Sequence, residues 1–404
     1  MNHPLKLLIH TQYYPPEIGA PQARLSELAK GLTRLGFLVS VLTAMPNYPQ
    51  GKVFKGYKGL LTREEIDQIP VLRTLIYPTQ KVNFIPRLLN YFTFVLSSIF
   101  FGMWGLGKLD FVLTESPPLF LGISGYLLSR LKRAKWIFNI SDLWPESVVR
   151  LGMLKPGFLL SLSRKLEAFC YRKAWLVTGQ SREILRDINE RFPDVKTYHL
   201  SNGVDENLFS PEKYDAYVRQ ELSPGGELVV FYGGLHGVAQ GLDQVLELAS
   251  SFNKVRFVLV GDGPKKQRLI TRAEQMGLTN VVFWDLVNKE KMPAYVASSD
   301  ICIVPLFGAL PGAVPSKIYE AMASAKPILL IAEGEAREIV EKNNVGLVAS
   351  PGDKKAIYNA LQSLIAEPGL RKRLGSNGRL VAETIFSRDT IVKDFYQALI
   401  NHML

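Results

Sequence analysis

The chain runs to 404 residues, more than one hydrophobic core can organise and enough for two domains of ordinary size. Hydrophobic residues at 47% and charged residues at 21% exclude an intrinsically disordered chain and fit a globular protein, with or without a membrane contact. The net charge of +11 sits in one half: residues 1–200 carry 26 Lys+Arg against 14 Asp+Glu, while residues 201–404 carry 22 against 23.

An anionic partner is therefore expected for the first half: a membrane surface, a nucleic acid or an acidic substrate. Met1 to Leu8 lack the basic region, apolar run and cleavage site of a signal peptide, which leads to the expectation of a cytoplasmic chain. Cys170 and Cys302 read as small buried hydrophobes, not as a disulfide.

Strands are predicted at 5–11, 37–43, 70–77, 109–114, 135–140, 174–179 and 196–200, most of them separated by helical patterns. The first strand hands over to a helix through "YYPPEIGAPQARLSEL" (13–28), where Pro15 and Pro16 stiffen the loop and Pro21 suits a first helical turn. Gly19 and the amides behind it could meet phosphate oxygens, with Arg24 one turn further in; a rigid structural turn is the alternative. "LLNYFTFVLSSIFFGMWGLGK" (88–108) has 20 uncharged residues before Lys108, about the length that crosses a bilayer. A span there would split the first sheet. A helix packed on that sheet is expected, with Phe100, Phe101 and Trp104 at a lipid interface and basic runs at 130–135, 163–165 and 171–173 beside it; the alternative is a buried helix with ordinary solvated charge.

Turn-rich stretches at 201–211 and 222–227 read as a linker. A second series of strands follows at 227–233, 254–260, 280–284, 300–305, 326–331 and 345–348. The alternation predicts an α/β chain with two doubly wound parallel sheets, whose ligands bind beyond the carboxyl ends of the strands. Three loops lie at such ends. "YGGLHGVAQGLDQVL" (232–246) offers amides at Gly233 and the side chains of His236 and Gln240, "VGDGPKKQRL" (260–269) offers Gly261, and "GAVPSKIYEAMASAKPIL" (312–329) offers Ser316 as a helix cap. Lys317 and Glu320, three apart, share a face there: the ammonium suits a diphosphate and the carboxylate a ribose diol.

Together with "TQYYPPEIGAPQARLSELAKGL", "TAMPNYPQGKVFKGYKG" and "SDLWPESVVRLGML", these stretches resemble, in order and spacing, the family 4 glycosyltransferases of the GT-B fold, in which two Rossmann-like domains face a central cleft. The resemblance is closest to the bacterial N-acetyl-L-fucosamine transferase branch of surface-polysaccharide synthesis. It implies retaining transfer from a UDP-sugar to a polyprenyl-diphosphate-linked saccharide in O-antigen, capsule or exopolysaccharide synthesis, at the inner face of the cytoplasmic membrane. It also implies an acceptor-binding domain at 1–201, a donor-binding domain at 202–386 with Val287 among its donor contacts, and a helix at 387–404 packing back on the first domain. Asn47, Tyr48 and Trp144 fall on the acceptor side.

Departures from the family pattern move roles. Glu320 matches the second of the family's two donor-site glutamates, but Gly312 stands at the first, and the family's basic pair falls near the uncharged Gly234 and Gln240. Diphosphate neutralisation is then expected from Lys317, Arg24 and amides near Gly19 and His236. Ser141-Asp142 replaces a frequent His-Asp pair, making Asp142 and Glu146 the candidates for the acceptor hydroxyl, with a helix cap as the alternative for Asp142. No D-x-D occurs and the five histidines are scattered, so neither a metal nor another cofactor is expected. A non-hydrolysing nucleotide-sugar epimerase would share this architecture. A nucleic-acid-binding protein would explain the charge, but no zinc spacing or basic-aromatic platform supports one, so nucleic acid is not expected as a partner.

Overall fold

The structure, a computed structural model, describes residues 3–79, 84–150, 157–288, 290–308 and 312–401. Its chain divides into two compact units, Met1–Ser201 with Ile391–Leu404, and Asn202–Thr390.

The first unit is built on eight strands: β1 (Lys6–His10), β2 (Leu38–Ala44), β3 (Leu61–Ile66), β4 (Ile69–Thr74), β5 (Phe111–Ser116), β6 (Lys135–Ile140), β7 (Leu176–Gly179) and β8 (Thr197–His199). They lie in the order β3-β4-β2-β1-β5-β6-β7-β8. Every pair is parallel except β3 with β4. The central strands are buried on both faces, as continuous apolar runs require. Leu7, Ile9 and Val41 pack against the helix Ala20–Arg34 and against Val392, Phe395 and Leu399 of the helix Arg388–Asn401. Leu8, Leu42 and Val112 face the opposite way, toward the helices Leu121–Lys132 and Phe158–Lys173.

The hairpin strand β3 was not anticipated. Its LTREEI sequence alternates exposed and half-buried positions at a sheet edge, and the turn to β4 uses Asp67 and Gln68, both at positive φ. That two-residue geometry normally announces itself through glycine, which is missing here.

In the second unit β9 (Leu228–Gly233), β10 (Val255–Val260), β11 (Val281–Trp284), β12 (Ile301–Pro305), β13 (Ile328–Ile331) and β14 (Gly346–Ala349) form one parallel sheet ordered β11-β10-β9-β12-β13-β14. Alternation places Val229 and Phe231 in one core and Val230 and Tyr232 in the other. Strand order reverses between β9 and β12, the place where such sheets open a crevice.

The expected linker at 201–211 and 222–227 is corrected: this stretch is part of the second unit. Val204, Phe209 and Leu222 are core residues, Val204 donates its amide to Phe386 O, and Arg219 pairs with Asp300. Turn-forming residues marked the stretch, but its few apolar side chains all find the core.

Candidate functional site

At the switch point of the second sheet the chain brings together the ends of β9 and β12 and the start of the helix Ser316–Ala323. A small pocket there is lined by Phe231, Gly233, Met292, Lys317, Glu320 and Ala321. The Lys317 ammonium lies 5.2 Å from the ring centre of Tyr232, and burial lowers its pKa. No ion pair joins it to Glu320 among the described residues, so the two are not the surface pair that spacing alone would allow. Their charges stay available to a ligand. Ser316 is the first helical residue and not the expected cap; its hydroxyl donates to Glu320 Oε1 at 3.0 Å, which orients that carboxylate.

Backbone packing explains the glycines. Gly234 has φ 152°, and a Cβ there would meet Lys317 Nζ at 2.5 Å. Gly261 has φ 143°, and its Cβ would lie 1.9 Å from Gly234 O, so the loops after β9 and β10 pack backbone on backbone. Gly261 is therefore required for packing and is not among the residues that line the pocket. The loop after β9 is also tied to the one after β12, through the Phe307 amide donating to Ala239 O at 2.8 Å.

His236 is not the ligand donor that its place in the loop suggests. Its amide donates to Asp262 O at 2.8 Å, and its buried imidazole sits between the rings of Tyr232 and Phe283, so neither the amide nor the ring is presented to an anion. Burial, reinforced by Lys266 and Lys317, lowers its pKa to about 4. Gln240 is half-buried with its Oε1 unpartnered, which leaves its amide free to turn toward a ligand. Val287 packs against the core behind the pocket.

In the first unit Arg24 is the largest departure from expectation. Its guanidinium donates to Glu115, to Ser141 Oγ at 2.6 Å and to Gln180 Oε1 at 3.2 Å, and Asn139 Nδ2 donates to the same Glu115 carboxylate at 2.6 Å. A cation committed to a buried carboxylate has little charge left for a diphosphate. Glu115 was missed, although an acid closing the apolar strand FVLTES is a legible signal. Gly19 has an extended φ of 172°, which any residue adopts, and the three atoms nearest a Cβ there all belong to the side-chain end of Gln22.

The opening loop is held by Glu17, also missed. Its buried carboxylate accepts the amides of Asn47 and Tyr48 at 2.8 Å and of Tyr14 at 3.2 Å. Arg73 fixes the other side by donating to Pro15 O and Ala44 O. Asn47 is thereby structural, its side chain donating to Met45 O, whereas the Tyr48 ring is exposed beside Tyr13. Asp142 is half-buried at the end of β6, and burial raises its pKa. Glu146 opens the short helix Glu146–Arg150 and is paired with Arg164 at 2.6 Å, a partly exposed ion pair. Trp144 packs edge-on against Phe120.

Among the described residues no three His, Cys, Asp or Glu side chains converge as metal ligands would.

Residues 214–381 match the family described as "Glycosyl transferases group 1" and residues 19–203 the "Glycosyl transferase 4-like domain". WcaI of Escherichia coli, a glycosyl transferase named for colanic acid biosynthesis, is 25% identical over 97% of this chain and 98% of its own. The O-antigen chain mannosyltransferase C of Escherichia coli is 21% identical over 98% of each. Among solved structures, sucrose-phosphate synthase from Thermosynechococcus elongatus superposes with a TM-score of 0.77 at 19% identity over 99% of both chains. HepE from Anabaena, in complex with UDP and glucose, gives 0.73 at 20% identity over 98% of this chain and 99% of its own.

Proposed function

Because the chain belongs to the family 4 glycosyltransferases of the GT-B fold, we propose that it moves a sugar from a nucleoside-diphosphate donor to a lipid-linked saccharide during assembly of a surface polysaccharide. The observation that carries this reading is the Lys317–Glu320 pocket at the switch point of the second sheet. The helix Ser316–Ala323 directs its positive end and Lys317 toward a diphosphate, while Glu320, oriented by Ser316, accepts from a ribose diol. UDP is the nucleotide favoured, because HepE is seen with UDP; the relatives named for colanic acid and O-antigen support a surface polysaccharide.

An N-acetylated amino sugar, retention at the anomeric carbon and a polyprenyl-diphosphate acceptor at the inner face of the cytoplasmic membrane complete the proposal, on the strength of the motifs. In the transfer the acceptor oxygen bonds to the anomeric carbon as the bond from that carbon to the diphosphate oxygen breaks. The departing diphosphate is stabilised by Lys317 and preorganised dipoles, and the hydroxyl proton passes to a base. Metal is not assigned a part, so activity should persist in excess EDTA.

The test is product analysis with UDP-, GDP- and dTDP-sugars, each with and without a polyprenyl-diphosphate saccharide. Transfer only when the acceptor is present is the expected result. Conversion of donor alone into an epimer, or turnover with none of the donors, would overturn the reading.

A further inference from the structure

We infer that three neighbouring helices of the first unit form a face that docks, lying flat, on an anionic lipid bilayer. The helix Phe84–Gly105 is long and apolar enough to cross a membrane by length and composition. It does not stand free to do so. Phe94 and Val95 are buried, and Gly102 and Gly105 leave no room for a Cβ against Leu42, Leu128 and Leu72, so the helix is bolted to the sheet along one side. Extracting it would strip the core of the first unit.

The opposite side is where the anomaly lies. Leu89, Phe92, Leu96, Phe100 and Trp104 recur at intervals of three and four residues, and all are exposed. Leu96 is 66%, Phe100 58% and Trp104 77% exposed, along a stripe about 22 Å long. Phe101, expected beside them, turns partly inward against Phe100.

The stripe continues sideways. The helix Leu121–Lys132 lies next to it, linked through Phe120 to Phe92 at 4.9 Å, and exposes Leu127 and Leu131. Beyond it the helix Phe158–Lys173, linked through Phe169 to Tyr126 at 5.0 Å, exposes Phe158, Leu159 and Leu162. So wide an apolar surface on a soluble unit calls for an occupant.

Charge identifies it. Residues 84–173 hold 12 Lys+Arg and 5 Asp+Glu. Four of those five acids are already engaged: Glu115 by Arg24, Glu146 by Arg164, Glu167 by Arg191, and Asp110 by the Lys6 amide. Arg130, Arg133, Lys165, Arg172 and Lys173 remain exposed on the two flanking helices. An apolar face rimmed by exposed lysine and arginine is the composition of a monotopic membrane surface, whereas the cores of protein interfaces are poor in lysine. The inference deepens the membrane placement proposed above but needs no sugar chemistry, so its failure and the failure of the transfer reading are separable.

Full-length protein is sedimented with vesicles of phosphatidylcholine alone and of phosphatidylcholine with roughly 30% phosphatidylglycerol, in low and high salt. Binding to the mixed vesicles that weakens with salt is expected. Leu96→Ser with Trp104→Ser should lower partitioning at least ~10-fold, and Lys165→Glu with Lys173→Glu should abolish the preference for anionic vesicles. Melting curves accompany each variant, and Phe158→Ser, on a separate helix, replaces the double variant if the latter melts early. Wild-type protein left in the supernatant with both vesicles overturns the proposal, as does unchanged binding by well-folded stripe variants. If the stripe substitutions instead turn a dimer into a monomer in sedimentation velocity without altering vesicle binding, the occupant is a second copy of the chain and the bilayer is excluded.

Discussion

Glu320 and Arg24 were expected to serve the same ligand, and their surroundings now separate them. Glu320 accepts one hydrogen bond, from Ser316, and otherwise faces the pocket, whereas Arg24 is spent on Glu115, Ser141 and Gln180. The two alanine variants should differ in kind. Glu320→Ala should leave the melting temperature nearly unchanged and reduce kcat/KM by about a hundredfold or more, since a ligand hydroxyl pair loses a charged acceptor worth about 3 kcal/mol. Arg24→Ala should instead destabilise the first unit by about 3 kcal/mol, because it leaves the buried Glu115 carboxylate without its cation. Denaturant unfolding beside steady-state kinetics checks both. An Arg24→Ala enzyme of full stability and weakened donor binding would restore the donor role that the geometry denies it. The glycines teach the same lesson about residues in isolation: Gly234 and Gly261 are required by positive φ and close backbone approach, while Gly19, the one singled out for its loop, has an ordinary extended backbone.

Between β1 and the helix Ala20–Arg34, the proline-rich loop is held as a brace and not by its prolines alone. Glu17 gathers three amides from two loops, and Arg73, fully buried, ties Pro15 to Ala44. Glu17→Gln keeps the shape but exchanges an acceptor for a donor facing amides, and should cost about 1 to 3 kcal/mol while loosening the exposed Tyr48. Gly19→Val, by contrast, should keep the fold, since the backbone there is extended and the atoms nearest an added Cβ belong to the end of the Gln22 side chain. If Gly19→Val loses turnover at wild-type stability, the loop contacts a ligand as well as bracing the domain; hydrogen exchange at 45–50 distinguishes the Glu17 effect. Elements of this kind mark the limit of what sequence reveals. Buried parallel strands such as LLIH and LVVFYG are legible because both faces must be apolar. The edge strand β3 and the partners of Arg24 are not, because an edge hides its pattern in charge and a buried pair is made by residues 91 positions apart. Lys317 and Glu320 were legible because one helix start holds both.

Across the molecule, each unit carries one fully buried histidine among the described residues: His10 at the end of β1, and His236 in the loop after β9. Neither ring nitrogen of either residue has a hydrogen-bond partner, and burial lowers the pKa of His10 to about 3 and of His236 to about 4. Phe94 stacks near His10, while Lys266 and Lys317 oppose a charge on His236 more than Asp262 favours one. Both folded pKa values lie below that of an unfolded histidine, so between about pH 6.5 and pH 4 the unfolded chain binds protons that the folded chain refuses. Stability is then complete above pH 6.5 and falls by about 1.4 kcal/mol per histidine for each pH unit below it, toward about 3 kcal/mol from each unit by pH 4. Glu17 and Asp142, whose pKa values burial raises, act in the opposite sense in the first unit. The second unit should therefore lose stability more steeply on acidification. Urea unfolding at pH 6.5, 5.5 and 4.5 follows this through Trp284, which lies in the second unit, after the other four tryptophans are replaced by phenylalanine. His236→Gln should flatten the slope whatever it does to stability at neutral pH, because a glutamine side chain does not titrate. A slope as steep in His236→Gln as in the parent protein would show that the acid sensitivity of the second unit arises elsewhere.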